Sequence, residues 1–266
     1  MVNINVLNSY PDMKDNYLDT FDTRGDLYNK AAVINPHARL IERQIIIDLL
    51  KVEPHHIVCD APAGGGYLAE GLRALVNDSS QIICIEPSLK FSEAIDPAFT
   101  TYISPLERLP LKDGSIDRVC SLAGLHHLRD KSKFCNEACR VLKTSGILVI
   151  GDVLAQTPVA RFLNGPVDIY TTTGHQGLFL QAGECSDLLW SAGCTRVMEE
   201  HRSFYWQFQS IEQMVKYCQS LFGLVKATEQ QVYDALACYF NIENADATVK
   251  MPWSLIYSVG IKDACQ

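Results

Sequence analysis

The chain has 266 residues, 47% hydrophobic and 20% charged, enough to build one large globular domain with a full core. A formal net charge of −8, with no Lys/Arg cluster, argues against a nucleic-acid partner. No stretch reaches the roughly 18 to 20 continuous apolar residues of a membrane span, and MVNINVLNSYPDMKDN lacks a signal-peptide pattern, so no membrane partner and a cytoplasmic location are expected.

Residues 1–35 are polar and aromatic, punctuated by Tyr10, Tyr17, Phe21 and Tyr28. They read as short helices or a lid. From Pro36, PHARLIERQIIIDLL reads as a helix with its proline near the start. Strand and helix signals then alternate. HIVCD, QIICIEP, FTTYIS, IDRVCSLAG and GILVIGDV are strands, and YLAEGLRALV, SLKFSEAI and DKSKFCNEACRVLK are helices. Such alternation implies a parallel sheet with helices on both faces. The strands are apolar without alternation, as expected when both faces are covered.

After Val153 the rhythm breaks. Residues 154–183 are rich in Thr, Gly and aromatics. GECSDLLWSAGC then reads as a helix and TRVMEEHRSFYWQF as a strand. IEQMVKYCQSLFGL places Ile211, Met214, Val215, Cys218, Leu221 and Phe222 on one helical face. Ser210 with Gln213, and Thr228 with Gln231, have capping-box spacing. SLIYSVGIK is a closing strand. The two helices of the 208–248 insertion are expected to cap a pocket or to form a homodimer face. Trp190, Trp206 and Trp253 are expected in the core, with pocket walls as the other reading. Ten cysteines without a C-x-x-C read as small buried hydrophobes, and no metal site is expected. A single domain over 1–266 accommodates all of these segments.

The chemistry concentrates in VCDAPAGGGYLAEGL, where a strand ends on Asp60 and three glycines follow before a helix. Such a turn lets a ligand approach bare backbone. Gly64 to Ala69 fits G-x-G-x-x-A, which leaves a nicotinamide-dependent oxidoreductase as one alternative. Asp60 opposes it, because a carboxylate at the strand tip repels a pyrophosphate. It suits a ligand carrying an ammonium or a sulfonium. Glu86 ends the second strand, where an acid can accept hydrogen bonds from ribose hydroxyls. A nucleoside with a cationic tail satisfies both residues, and S-adenosylmethionine is such a molecule.

Five segments, in order, resemble the class I S-adenosylmethionine-dependent methyltransferases, close to the small-molecule type 11 group. They are VCDAPAGGG, IEPS, ERLPLKDGSIDRV, SLAGLHHLRD and RVLKTSGILVIGD. The resemblance covers roughly 36–153, and more weakly 184–262. It implies an α/β, Rossmann-like fold: a mostly parallel seven-stranded sheet with the last strand antiparallel, helices on both faces and helical cap insertions. It divides the chain into an N-terminal lid (1–35), a cofactor-binding core (36–153), a substrate-pocket segment (154–183) and a helical insertion (208–248). It further implies that Asp60, Ala61, Ala63, Gly64 and Gly66 line the methionine end of S-adenosylmethionine. Glu86 would hold the ribose, with Pro87 beside the adenine, and Leu106 and Glu107 along the adenine edge. Ala123 and Gly124 would face the reactive methyl.

Pro62 stands where the family has its first glycine, and Pro105 where many members have an aspartate that contacts the adenine amino group. These departures motivate another alternative, a non-catalytic protein that binds S-adenosylmethionine or S-adenosylhomocysteine. The implied reaction, methyl transfer to a small-molecule acceptor in metabolite or natural-product biosynthesis, needs a general base only when the acceptor enters protonated. His126 and His127, after the fourth strand, are candidates for that proton transfer; a packing role at the next helix start is the other reading. His175 lies among Asp168, Tyr170 and Thr171 to Thr173, in either an acceptor pocket or a solvated loop. His55 and His56 precede the first strand and read as structural.

Overall fold

A computed structural model describes residues 16–245 and 248–263, so Tyr10 and the start of the expected lid lie outside the described residues. The apolar run at Val58–Asp60 forms β1, which pairs in parallel with β2 (Ile82–Glu86) on one side and β4 (Ile116–Leu122) on the other. All three residues of β1 are buried, which explains why this stretch does not alternate. With β3 (Thr100–Ile103), β5 (Leu142–Asp152), β6 (Cys194–Phe208), β7 (Glu243–Ala245) and β8 (Thr248–Lys262), the sheet order is β3-β2-β1-β4-β5-β8-β6. β8 runs antiparallel to both β5 and β6, as the resemblance implied. The seven-stranded path carries one unexpected addition, the three-residue β7, which pairs with β8 alone.

Strand order reverses between β1 and β4. In open parallel sheets the crevice beyond the carboxyl ends of such strands receives ligands. Asp60 ends β1, and Ala123 and Gly124 follow β4, so the two segments meet at that crevice.

The described part of the N-terminal segment is one long helix, α1 (Asn16–Ile34). It packs across α9 (Ile211–Phe222) and the short α4 (Leu89–Ser92). Between them in sequence lie α2 (Leu40–Leu50), α3 (Tyr67–Leu72), α5 (Lys131–Val141), α6 (Pro158–Phe162), α7 (Asp168–Tyr170) and α8 (Glu184–Ser191); α10 (Glu229–Tyr239) follows α9. α2 starts at Leu40, later than the proline suggests. Met214, Val215, Cys218, Leu221 and Phe222 are buried on α9 as the periodicity requires. That face packs within the chain, against α1 among other elements.

Side-chain capping follows the sequence in part. Thr228 and Gln231 form the reciprocal box at α10. Ser210 accepts from the Gln213 amide at 3.1 Å, but Gln213 Oε1 takes the Gln209 N–H instead of returning to Ser210. Trp206 and Trp253 are buried and stacked, with ring centroids 4.2 Å apart. Trp190 is 51% exposed on α8, which corrects its expected core placement. Eight of the nine described cysteines are buried and none is bridged.

Beneath α1 and α2 sits a buried ion pair between Arg39 and Glu42. Trp206 Nε1 donates to the second Glu42 oxygen at 3.1 Å, and the Tyr257 hydroxyl donates to the Glu42 carbonyl at 3.4 Å. The Trp206 donor helps the buried pair offset its desolvation.

Candidate active site

The turn after β1 is held by backbone. Ala61 N–H donates to the Cys120 carbonyl and Ala63 N–H to the Ile85 carbonyl, each at 2.9 Å, so the loop is pinned to both neighbouring strands. The Ala61–Pro62 bond is cis, and the Pro62 ring lies against Gly124. A Cβ on Gly124 would lie 2.3 Å from Pro62 Cγ, so the proline is matched by a bare backbone after β4. Gly64 (φ +55°) and Gly66 (φ +85°) occupy the left-handed region that glycine takes without a Cβ penalty.

Two buried carboxylates flank this loop. Asp60 is fully buried, and its Oδ2 has no hydrogen-bond partner. Burial pushes its carboxyl well above the usual range; the Ala69 amide opposes that effect only in part, and the charge of Glu86 reinforces it. A buried carboxylate lacking a cation partner is costly unless a ligand supplies one. Glu86 is also fully buried, but its oxygens are used. Oε2 accepts from the Gly64 amide and the Tyr17 hydroxyl, and Oε1 from the Ser88 amide, all at 2.8 Å. Burial raises Glu86 to about 7, against the pull of those donors.

Asp60, Ala63, Gly64, Ala123 and Gly124 line one cavity together with Tyr17, Phe21 and Phe91. Its volume is only about 50 Å³, against roughly 300–1,000 Å³ for ordinary small-molecule sites. Phe21 stacks on Phe91 with centroids 4.8 Å apart, and Tyr17 reaches Glu86, so α1 fills the space over the loop. A larger cavity of about 310 Å³ lies behind Tyr28 and Tyr67 and is lined by Gly65 and Gly66.

A second chamber shares Phe21, Tyr28, Arg39 and Ala123 with the first. Its walls bring together His126, His127, His175, Arg24, Trp206 and Trp253. His126 Nδ1 lies 2.6 Å from Asp152 Oδ1, at the end of β5. Asp152 Oδ2 accepts the Leu125 and His126 amides, fixing the turn after β4. Burial alone would push Asp152 up, yet the His126 side chain and the Val153 and Leu125 amides hold it below the usual range. His175 is buried, not solvated: its N–H donates to Asp168 Oδ1, and its Nδ1 lies 3.1 Å from Asn164 Oδ1. Burial pushes His127 and His175 well below the ordinary histidine value, and the neighbouring His126 and Arg24 add to that. Arg24 is buried; its Nη1 donates to the Phe222 carbonyl and its Nε has no partner.

The structure therefore gathers Asp60, Ala63, Gly64, Ala123 and Gly124 in one cavity and the three histidines in the next. Ala61 is buried under the loop, and Gly66 faces the larger cavity. Glu86 touches the first cavity's wall through Gly64 and Tyr17, while Pro87, Leu106 and Glu107 line neither of the two chambers. Asp152, Asn164 and Arg24 are additions to the residues singled out by sequence. Asp152 had a readable signal, an acid at the carboxyl end of a central strand; Arg24 and Asn164 had none.

Residues 59–150 match the model of the family described as a methyltransferase domain. The match spans β1 to β5, so this part of the chain carries a methyltransferase domain, and the sheet order above is that of the class I, S-adenosylmethionine-dependent fold. A probable S-adenosylmethionine-dependent methyltransferase of Mycobacterium tuberculosis is 29% identical over 93 residues, 35% of this chain and 34% of that protein. The match thus spans about a third of that curated relative. Among solved structures, a possible histamine N-methyltransferase of Thermotoga maritima is 19% identical, with a TM-score of 0.63, over 93% of this chain and 100% of that one. Phosphoethanolamine N-methyltransferase 2 of Haemonchus contortus, solved with S-adenosylhomocysteine, is 14% identical with a TM-score of 0.61, over 93% of this chain and 60% of that one. At these identities the two structures establish the shared fold.

Proposed function

We propose that the protein transfers a methyl group from S-adenosylmethionine to a small-molecule acceptor held in the histidine-lined chamber. The observation that carries this reading is Asp60 Oδ2: a buried, unpartnered carboxylate oxygen on a cavity whose far wall, Ala123, is shared with that chamber. S-adenosylmethionine supplies an electrophilic methyl on a cationic sulfur, together with an ammonium. Asp60 answers that positive charge, with Ala61, Ala63, Gly64 and Gly66 presenting backbone. Glu86 accepts from the ribose, Pro87, Leu106 and Glu107 border the adenine, and Ala123 and Gly124 leave room at the methyl.

α1 then acts as a lid. Tyr17 and Phe21 must withdraw from Glu86 and Phe91 to admit the nucleoside. His126, oriented by Asp152, takes the acceptor's proton through Nε2. His127 and His175 are held neutral beside it. Arg24, with a buried Nε to spare, favours an acceptor bearing an anionic group near its nucleophilic atom. Trp206 and Trp253 supply a flat apolar wall. The whole chain works as one domain, with lid, core, pocket segment and helical insertion at 1–35, 36–153, 154–183 and 208–248. No helix among the described residues is long and apolar enough to cross a membrane, and the cytoplasm is the proposed location.

The test is release of S-adenosylhomocysteine from S-adenosylmethionine in the presence of phenols, hydroxy acids, thiols and amines, with and without a carboxylate. Acceptor-dependent release, lost in Asp152→Asn, supports the reading. One observation favours a second reading, a non-catalytic binder of the same nucleosides: α1 fills the cavity to about 50 Å³. Tight nucleoside binding without turnover on any acceptor would favour it.

A further inference from the structure

The three histidines of the acceptor chamber have the arrangement of a metal site. One ring nitrogen from each of His126, His127 and His175 lies within 4.8 Å of the other two, and all three residues are buried. A tetrahedral zinc shell with bonds of about 2.0–2.1 Å sets its nitrogens about 3.4 Å apart, so modest ring rotations bring these within range.

Their supports are those of metal ligands. A ligating histidine characteristically engages its other ring nitrogen with a carboxylate or an amide, which fixes its orientation. His126 Nδ1 engages Asp152, and His175 Nδ1 engages Asn164. Those contacts leave Nε2 of both rings for the chamber. An independent observation points the same way: His127 Nδ1 is buried with no hydrogen-bond partner, at a cost for which packing supplies no return. Asn164 Oδ1 also accepts the Gly177 amide at 2.7 Å, so the loop carrying His175 is built around this support. Burial pushes His127 and His175 well below the ordinary histidine value, which favours the neutral form that binds metal. Of the fixed charges nearby, Asp152 favours a cation and Arg24 opposes it.

We propose that His126, His127 and His175 bind one divalent transition-metal ion, zinc-like in its preference for imidazole, with the remaining position open to the chamber. Three protein ligands and one open position are the pattern of a site that takes up a substrate atom. The proposal rests on the methyl-transfer reading only for the purpose of that open position. With the ion in place His126 is a ligand and no longer the base: coordination acidifies the acceptor's heteroatom, which gives its proton to water as it enters the site.

The test uses the full chain, freed of metal with a chelator and titrated with Co²⁺ while the visible spectrum is followed. The expected result is one Co²⁺ per chain, with intense tetrahedral-type bands that Zn²⁺ displaces. His126→Gln and His175→Gln should abolish the bands. Asn164→Ala should weaken binding about 10–100-fold. His55→Ala, at an exposed histidine of the separate Glu53/His55/His56 group, should change nothing. S-adenosylhomocysteine binding, measured on the same preparations, reports folding and keeps the two readings separable. No Co²⁺ bands in a protein that binds S-adenosylhomocysteine, or bands that survive in both histidine variants, would overturn the metal site alone.

Discussion

Glu86→Gln gives the sharpest prediction about the cofactor side. In the unfolded chain this carboxyl titrates near 4.5; in the fold burial raises it to about 7. A proton is therefore retained on folding between those values, and stability falls as pH rises through that window. At about 1.4 kcal/mol for each pH unit between the two values, the loss comes to about 3 kcal/mol by pH 7. Glutamine never ionises, so it escapes that loss. It carries a cost of its own, because three donors converge on the carboxylate and one amide oxygen cannot serve both sides. A lost buried acceptor costs about 1–3 kcal/mol. The variant should be less stable than the parent at pH 4.5 and equal or better at pH 7.5. Urea unfolding at half-unit pH steps measures both. A parent-minus-variant difference that stays flat across pH 4.5 to 7.5 would refute the assignment of the raised carboxyl to Glu86.

Further predictions concern the lid, the chamber and the core. Tyr17→Phe removes the hydroxyl that ties α1 to Glu86, and should speed S-adenosylhomocysteine association in stopped-flow mixing at a stability cost of about 1 kcal/mol. An unchanged rate would mean that α1 does not gate the site. Asp152→Asn should lower turnover about 10²–10⁴-fold with S-adenosylhomocysteine affinity nearly unchanged, since Asp152 orients His126 and not the loop after β1. Glu42→Ala leaves Arg39 buried and Trp206 Nε1 without an acceptor, and chemical denaturation should show a loss of about 3–5 kcal/mol.

Much of this was legible because the physics was local. The strands at Val58 and Ile82 announce themselves as apolar runs up to their terminal acids, as a sheet covered on both faces requires. Asp60 and Glu86 stand at strand ends, where an acid has few structural reasons to be. Other features depended on contacts distant in sequence. His175 reads as loop until Asn164, eleven residues earlier, turns it inward. Arg24 belongs to a helix whose target, the Phe222 carbonyl, lies 198 residues away. Gln213 has the right spacing for a capping box, yet the Gln209 amide and Asn35 compete for its side chain. The core reading fails for Trp190 because its side chain on α8 is half exposed, whereas Trp206 and Trp253 stack diagonally across the paired strands β6 and β8.

The central claim is that Asp60 awaits the positive charge of S-adenosylmethionine. Calorimetric titration of the parent and of Asp60→Ala with S-adenosylmethionine, S-adenosylhomocysteine and NAD tests it most directly. The account predicts micromolar binding of both sulfur nucleosides to the parent, loss of that binding in the variant, and no binding of NAD. Failure of the parent to bind either sulfur nucleoside, or equal binding by Asp60→Ala, would contradict it.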